Sequence, residues 1–517
     1  MEANVLSKES ASRGAAPAIV EQFVIEGLHG YRTVSLSSNH AATVLIARNG
    51  SGKTTLLGAL DAFLRGQFLR LSGLRFSVIR CSLRGLTEPL ELHYEDVQAL
   101  TEMPDDPSFQ HEIRRFSVAP NALVDFVLHD YRPLRDNYSE LHENEIFSKL
   151  VASFQYRTID ARKYLDRLFE MLVSGRNTNV DKVLAGLKQV IGDTEIVYLP
   201  TYRRIELPLS DDPKDDRISG RRRPSIRAKL GISRKVLFGS DIQFGLSDIS
   251  ERLRELNNDM LFSSNQGYRE ISANIINEML DGTFERDNPG QSELPDRETL
   301  LLFFSRLKEG RRSPRFSDFS IPNIDRIYRE GAIPYESNKF LQYFLAKLNT
   351  VIEATRGIEG IVERFIEQCN KYLSDRDGAG PDTCADAENV EDGKTLRLDR
   401  KDLTVVVESD ATKRKIPLDS LSSGEKQVIS LFARLYLYSG PKIILIDEPE
   451  LSLSMDWQRK ILVDIINAPT CTQIVAITHS PFVFDNELEA FARALGVRVD
   501  RVSAQNGDHE SEEEVDE

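Results

Sequence analysis

The segment LIARNGSGKTTLL, residues 45–57, constrains the fold of this chain more than any other stretch of its sequence. The apolar, β-branched run 42–46 predicts a buried strand that leads into it. Gly50 and Gly52 predict a tight turn, and a helix is predicted to begin at Lys53. A strand, a glycine-rich turn and a helix N-terminus in this order indicate an α/β fold with a loop that binds phosphate.

The segment departs from the phosphate-loop pattern G-x-x-x-x-G-K-[ST] at its first position, where Ala47 replaces glycine. That first glycine serves the turn off the strand and makes no phosphate contact. If the turn required a left-handed conformation, alanine would adopt it at a cost of roughly 1–2 kcal/mol. The loop by itself therefore leaves two interpretations open, a working nucleotide site and a decayed one.

A working loop of this type binds ATP together with Mg²⁺, which are the predicted cofactors. Its backbone N–H groups cradle phosphate oxygens, Lys53 reaches the β- and γ-phosphates, and the Thr54 hydroxyl holds Mg²⁺. The predicted nucleotide-binding residues of the loop are Asn49, Gly50, Ser51, Gly52, Lys53, Thr54 and Thr55.

Length and composition limit the class of protein. With 517 residues the chain exceeds one hydrophobic core, so two or three structural units are expected. The sequence has no apolar run of about eighteen residues, so no membrane span is predicted. Its four cysteines lack metal-ligand spacing, which is typical of reduced thiols in a cytoplasmic protein. A net charge of −15 argues against a surface that coats DNA.

The middle of the chain is predicted to be a packed helical insertion. Residues 247–375 are predicted to be helical, and the apolar spacing is clearest from residue 338 to residue 373. That stripe is too short and irregular for a long coiled-coil arm. Before it, residues 217–235 contain eight basic residues and no acidic one. This basic segment is either a solvated loop or a contact for nucleic acid or an acidic partner surface.

Four further segments follow one another in the last hundred residues. LSSGEKQ, residues 421–427, precedes an apolar helix and is called the signature segment below. KIILIDE, residues 442–448, predicts a buried strand that ends in two carboxylates, and PELSLS follows it directly. A last strand, 472–478, ends in His479.

Each segment contributes a group that suits ATP hydrolysis. Asp447 is predicted to hold Mg²⁺ together with Thr54, and Glu448 to orient and deprotonate the attacking water. His479 is predicted to hydrogen-bond the γ-phosphate region. The predicted phosphate contacts at the N-terminus of the signature helix are Ser422, Ser423 and Gly424. Each group alone has a structural explanation, but their fixed order behind a phosphate loop favours a working nucleotide site.

The complete set resembles the ABC-type ATPase head of SMC-like chromosome-maintenance and DNA-repair ATPases. The resemblance covers about residues 18–66 and 396–484. The segments LSSGEKQ, DEPELSLS and THSP, with YLPTYRRIE near residue 200, are more similar to the ATPase subunits of bacterial two-gene antiphage systems. Among these subunits, the sequence most resembles the AriA-type ATPase of PARIS and, more distantly, the ATPase of Septu.

The resemblance implies an α/β fold, an ABC-type head with a mixed sheet and a phosphate loop, split by a long, mostly helical insertion. The implied division of the chain is a flexible leader (1–17), the N-terminal part of the head (18–200), the basic loop and insertion (201–395), the C-terminal part of the head (396–500) and an acidic tail (501–517). Ser423 replaces the middle glycine that the signature has in its transporter form, and Ser454 lies where related heads often have His. Gln155 is a candidate for the family's Q-loop glutamine.

Heads of this class complete their site between two protomers, so the resemblance implies an ATP-sandwiched homodimer, which could be repeated in a larger ring. It also implies an ATPase that senses a trigger, such as phage infection, and holds or releases a separate, nuclease-like effector. The alternative is a repair or chromosome-maintenance ATPase that acts directly on DNA, but no long heptad arm or zinc hook is visible. A transporter ATPase or a fused nuclease fits the length and motifs less well.

Overall fold

The computed structural model describes the chain in segments. The described residues are 13–48, 50–101, 123, 126–131, 141, 144–155, 157–173, 178–200, 246–281, 294–309, 321–329, 335–374, 393–400 and 404–499. Four predicted features lie wholly or mostly outside them, namely the flexible leader up to residue 12, Asn49, the basic segment 217–235 and the acidic tail 501–517.

The described strands form three sheets. In chain order they are β1 (Val20–Leu28), β2 (Arg32–Ser37), β3 (Ala42–Ile46), β4 (Val78–Leu83), β5 (Leu90–His93), β6 (Glu195–Leu199), β7 (Lys394–Asp399), β8 (Thr404–Ser409), β9 (Lys415–Ile416), β10 (Lys442–Asp447), β11 (Cys471–Thr478), β12 (Ala492–Ala494) and β13 (Gly496–Val499).

The described part of the chain also contains α-helices. In chain order they are α1 (Lys53–Leu64), α2 (Tyr94–Thr101), α3 (Glu145–Ser153), α4 (Thr158–Val173), α5 (Thr178–Ile191), α6 (Leu246–Leu280), α7 (Arg297–Glu309), α8 (Ile324–Ile327), α9 (Tyr335–Leu373), α10 (Ser423–Tyr436) and α11 (Met455–Asn467).

The central sheet is parallel, and its strand order is β12-β3-β11-β10-β6. Every residue of β10 is buried, as expected for a strand covered on both faces. Because side chains alternate along a strand, Ile443 and Leu445 belong to one hydrophobic core, whereas Ile444 and Ile446 belong to another. The first core also holds α1 and α5, and the second holds α10 and α11. The continuous apolar character of the predicted strand is thus explained by two cores.

Segments from the two ends of the chain share this sheet. β3 pairs with β11, and Gln473 on β11 reaches the antiparallel sheet β13-β2-β1-β4-β5. The fully buried Gln473 side chain accepts hydrogen bonds from Ile19 N at 2.9 Å and Val20 N at 2.8 Å. Its amide donates to Val20 O at 3.0 Å. The last residues of the predicted flexible leader are also held, because Arg13 Nη1 donates to Asn467 O at 2.6 Å.

Two long helices between β6 and β7, α6 with 35 residues and α9 with 39, pack against each other. At one end of α9, Phe365 and Tyr372 lie in the core that covers the parallel sheet. At the other end, Tyr343 and Leu348 lie in a separate core with α7 and α8. The helices predicted in 247–375 are confirmed where the chain is described, and they are packed together.

Other expectations about the chain can be checked in the described part. The predicted strand at 42–46 has the predicted bounds, whereas the strand predicted at 442–448 ends one residue earlier, at Asp447. None of the described helices is long and apolar enough to cross a membrane. Cys81, Cys369 and Cys471 are free thiols, and burial raises the pKa of Cys471 to about 12.

Candidate nucleotide-binding site

The carboxyl ends of three neighbouring strands bring the predicted site residues together. In the register of the sheet Ile46 faces Thr478, and Ile477 faces Asp447. β11 lies between β3 and β10. The loop after β3, His479 after β11, and Asp447 and Glu448 at the end of β10 therefore lie at one edge of the sheet. In open α/β sheets ligands bind at this edge.

The loop predicted to bind phosphate has a backbone that suits a phosphate cradle. Gly50 and Gly52 have φ of 77° and 93°, in the left-handed region that glycine adopts without steric cost. Gly52 caps α1 without a side-chain hydrogen bond. The Ser51 hydroxyl is buried and lacks a hydrogen-bond partner among the described residues. The donors of this loop and of the first turn of α1, including Thr55, fit a phosphate group.

Ala47, which replaces the first glycine, continues the strand and does not strain the loop. Its N–H donates to Thr478 O at 3.2 Å, which extends the pairing of β3 with β11 by one residue. The described non-glycine residues with positive φ do not include Ala47; they are His29, Gln155, Lys413, Glu448 and Ser452. Alanine therefore has no left-handed cost at this position.

We expect Ala47→Gly to leave the ATP affinity and turnover within a few-fold of the wild type, because position 47 needs no positive φ. The measurement is a nucleotide titration of both proteins with Mg²⁺ present. If alanine strained the loop, glycine would relieve roughly 1–2 kcal/mol and tighten ATP binding about ten-fold. That tighter binding would contradict this account of the turn.

Two side-chain contacts join α1 to the end of β10. Lys53 Nζ lies 2.5 Å from Glu448 Oε1, and these side chains are only 6% and 15% exposed. Thr54 Oγ1 donates to Asp447 Oδ2 at 2.5 Å. The paired residues are 395 and 393 positions apart in the chain. The fold therefore places the predicted phosphate-binding lysine beside the predicted base, and the two predicted metal ligands beside each other.

The oxygen donors of Thr54 and Asp447 fit Mg²⁺, which prefers carboxylate and hydroxyl ligands and commonly takes substrate phosphates as further ligands. Within the described segments, no group of three or more His, Cys, Asp or Glu side chains could hold a metal ion.

Glu448 itself has an unusual backbone, with φ of 50°. Its N–H donates to Ile477 O at 2.8 Å, so the neighbouring strand holds the residue in place. A left-handed conformation costs a glutamate roughly 1–2 kcal/mol. Such conformations persist where the surrounding structure enforces them, often at functional sites.

His479 lies beside two carboxylates. Its Nδ1 is 3.0 Å from Glu450 Oε1 and 3.8 Å from Glu448 Oε1, and the ring is half exposed. Glu450 was not among the predicted site residues, although the sequence places a carboxylate two positions after Glu448. Gln458 accepts from Ser480 Oγ at 3.0 Å and donates to Glu450 O at 3.4 Å, which ties the segments after β10 and β11 together.

The signature segment has a local structural role in addition to its predicted one. Ser422 caps α10, because its hydroxyl accepts from Glu425 N and its N–H donates to Glu425 Oε2 at 2.7 Å. Lys394 lies 2.8 Å from Glu425 and contributes to the lowered pKa of this carboxyl, although desolvation opposes it. Ser422 and Ser423 are exposed, whereas Gly424 is buried against Ser452. Within one chain Gly424 packs against the segment after β10, and a phosphate contact of the three residues stays a prediction.

We expect Gly424→Ala to destabilise the protein by about 1–3 kcal/mol, because its Cβ would lie 2.5 Å from Ser452 O. The control is Gly357→Ala in α9, where a Cβ has nothing within 4 Å and alanine should stabilise the helix by about 0.5–1 kcal/mol. Thermal unfolding of both variants measures the difference. An unchanged midpoint for Gly424→Ala would show that the two segments separate at no cost.

Gln155 and Ser454, two residues singled out by the resemblance, both lie at helix ends. Gln155, the candidate Q-loop glutamine, follows α3, and its N–H bonds locally to Ala152 O. Ser454 caps α11 by accepting from Trp457 N at 3.4 Å, a structural role that histidine would not fill as well.

One protein-family model matches part of the chain. Residues 240–485 match the family model described as "AAA domain, putative AbiEii toxin, Type IV TA system". The match covers slightly less than half of the chain and leaves out the phosphate loop. No curated protein matches the sequence.

Among solved structures, the chain is similar to the Smc head domain of Pyrococcus furiosus, determined with an extended coiled coil and bound to the C-terminal domain of ScpA. The identity is 14%, over 93% of this chain and 96% of that chain, and the TM-score is 0.31. A likeness this low carries no argument about fold or function. The family match alone shows that residues 240–485, which include Asp447, Glu448 and His479, are similar to AAA domains.

Proposed function

We propose that this protein is an ABC-type ATPase that binds ATP with Mg²⁺ and hydrolyses it to ADP and phosphate. The observation that supports it most is the pair of contacts across the sheet edge, Lys53 with Glu448 and Thr54 with Asp447. These contacts combine a phosphate-binding loop, oxygen ligands for a divalent cation and a carboxylate base within one small volume. The AAA family match supports nucleotide binding independently.

In the proposed reaction the residues of this edge divide the work. The amides of Gly50 to Gly52 and the Lys53 ammonium bind the phosphates. When Lys53 binds phosphate, Glu448 is no longer neutralised by it and can accept a proton from the attacking water. Thr54 and Asp447 would hold Mg²⁺, which when bound neutralises charge on the phosphate oxygens.

The proposed assembly is an ATP-sandwiched homodimer, which could be repeated in a larger ring. Ser422 and Ser423 are exposed at the N-terminus of α10, where backbone N–H groups favour an anion. This exposure supports a contact of the signature segment with a partner's nucleotide. The proposed head consists of residues 18–200 and 396–500, and the insertion 201–395 separates its two parts.

The proposed biological role is to sense a trigger, such as phage infection, in the cytoplasm and to hold or release a separate, nuclease-like effector. α6 and α9 support it, because they pack into a compact helical unit with its own core. The description of the matching family names a putative toxin, which favours defence over chromosome maintenance. The similarity to PARIS, and secondarily Septu, ATPase subunits points the same way.

The alternative is a repair or chromosome-maintenance ATPase that acts directly on DNA. The basic segment 217–235 favours it, because eight cations without a balancing acid suit a phosphate backbone. An acidic surface of a partner protein would attract the same segment.

One experiment tests the ATPase and separates the two roles. The full chain is purified, and phosphate release is measured with Mg²⁺-ATP alone, with duplex DNA, and with the product of the neighbouring gene. We expect turnover without DNA and an ATP-dependent complex with the neighbouring protein. Turnover that requires DNA, with salt-sensitive DNA binding, would support the alternative. No turnover under any condition would contradict the proposed ATPase.

A further inference from the structure

Glu450 is a buried carboxylate that the proposed reaction does not use. Its side chain is 6% exposed, although it lies beside the half-exposed His479 ring. Glu450 Oε1 is 3.1 Å from the backbone N of His479 and 3.0 Å from its Nδ1. Glu450 Oε2 is buried and has no hydrogen-bond partner in the described part of the chain. Burying a carboxylate costs free energy unless the group is hydrogen-bonded. The hydrogen bonds to Oε1 therefore offset the cost of burying Glu450.

The chemistry of this contact determines which nitrogen of the ring carries hydrogen. An ionised carboxylate only accepts hydrogen bonds, so the nitrogen that faces it must be a donor. Both carboxylates that face the ring, Glu450 and Glu448, face Nδ1, and Lys53 is paired with the second of them. In a neutral imidazole with hydrogen on Nδ1, the other nitrogen, Nε2, is an acceptor. An acceptor suits a water molecule better than a phosphate oxygen.

A water molecule that attacks phosphorus must direct a lone pair at it and donate both hydrogens elsewhere. Glu448 can accept one of these hydrogens, and an unprotonated Nε2 can accept the other. Both residues lie directly after neighbouring parallel strands, β10 and β11, at the same edge of the sheet. The two acceptors are therefore positioned by rigid elements.

We propose that Glu450 is a positioning residue that fixes His479 with hydrogen on Nδ1, so that Nε2 accepts from the attacking water and does not donate to the γ-phosphate. This inference rests on the proposed ATPase and assigns the histidine a different partner from the one predicted from sequence. It gives the carboxylate two residues after Glu448 a function at the site. The backbone bond to His479 N adds orientation to the choice of tautomer.

The first test is spectroscopic and does not depend on turnover. ¹⁵N-histidine labelling of the full chain, with His479 assigned from a His479→Gln spectrum, reports which ring nitrogen carries hydrogen. We expect a protonated Nδ1 and an unprotonated Nε2 in the wild type and in Glu450→Gln, which keeps an acceptor. Leucine is similar in size to glutamate but has no hydrogen-bond acceptor. In Glu450→Leu the hydrogen of the His479 ring should therefore lose its preference for Nδ1. A wild-type ring protonated at Nε2 would contradict the proposal.

The second test is a kinetic cycle. Loss of a carboxylate that orients a metal-bound histidine typically costs about 10-fold to 100-fold in activity, and by analogy Glu450→Leu should lower kcat by that factor with little change in KM. Glu450→Gln should recover most of kcat. In a His479→Gln background, Glu450→Leu should have little further effect, since it acts through the ring. If the losses of kcat in Glu450→Leu and His479→Gln were fully additive in the double variant, Glu450 would have a merely structural role.

The outcomes separate this inference from the ATPase proposal. A wild type without turnover overturns the ATPase, whereas an active wild type with the wrong tautomer or additive losses overturns only the role of Glu450. Thermal unfolding checks that each variant is folded. If Glu450→Leu does not fold, the tautomer of the wild type and of Glu450→Gln decides alone.

Discussion

Lys53→Ala should abolish measurable ATP turnover, a loss of at least about 100-fold, because it removes the side-chain cation that is proposed to bind the β- and γ-phosphates. ATP binding should weaken by about 10-fold to 100-fold, the value of a hydrogen bond to a charged group. The measurements are phosphate release and nucleotide titration with Mg²⁺ present.

The matched control for this variant is Lys188→Ala, which removes an exposed lysine from α5. We expect the control to retain wild-type turnover and binding. Lys53→Ala also leaves Glu448 without its ion pair, so thermal unfolding must show that the variant is folded. Equal turnover in a folded Lys53→Ala and in the wild type would contradict the phosphate-loop assignment.

Glu448→Gln should retain ATP binding and lower turnover by about 100-fold to 10,000-fold, because the amide cannot accept a proton from water. The substitution keeps the size of the side chain, and its backbone cost at φ of 50° is unchanged to a first approximation. Bound ATP would then persist, and the proposed ATP-joined dimer should accumulate. Light scattering during chromatography with and without Mg²⁺-ATP measures that accumulation.

Glu489→Gln is the control, since it removes an exposed carboxylate near the end of the central sheet. It should neither slow turnover nor change the oligomeric state. If Glu448→Gln hydrolysed ATP as fast as the wild type, another group would be the base. Slow turnover without a larger species would leave Glu448 as the base and contradict the ATP-joined dimer.

The sequence was sufficient to predict the elements that carry the site, because each is marked by a local pattern. The apolar run before Ala47 predicted β3 with the observed bounds, and the run before Asp447 predicted β10 to within one residue. Glycines and a lysine predicted the start of α1 at Lys53. These patterns depend on neighbours in the chain, so a single sequence contains them.

The pairing of these elements was not contained in any local pattern. The contact of Lys53 with Glu448 joins residues 395 positions apart, and the pairing of β13 with β2 joins opposite ends of the chain. Gln473 is a polar residue in a buried strand, and only the approach of β1 explains it. Such contacts depend on the packing of distant segments.

Glu450 was not predicted to contact His479, for a related reason. Its position directly after a strand and a proline is visible in the sequence, but its contact with His479 exists only because β10 and β11 are neighbours. Ser422 shows the reverse case, since the spacing Ser-x-x-Glu to Glu425 is a capping box that local reasoning can find. Its phosphate contact depends on a second chain and stays a prediction.

The most direct test of the central claim, a working nucleotide site at this sheet edge, is an equilibrium titration of the full chain with a fluorescent ATP analogue and Mg²⁺. We predict saturable binding by the wild type, displacement by unlabelled ATP, the same behaviour in Ala47→Gly, and strongly weakened binding in Lys53→Ala. Absence of binding by the wild type, with binding restored in Ala47→Gly, would show a decayed site and contradict this account.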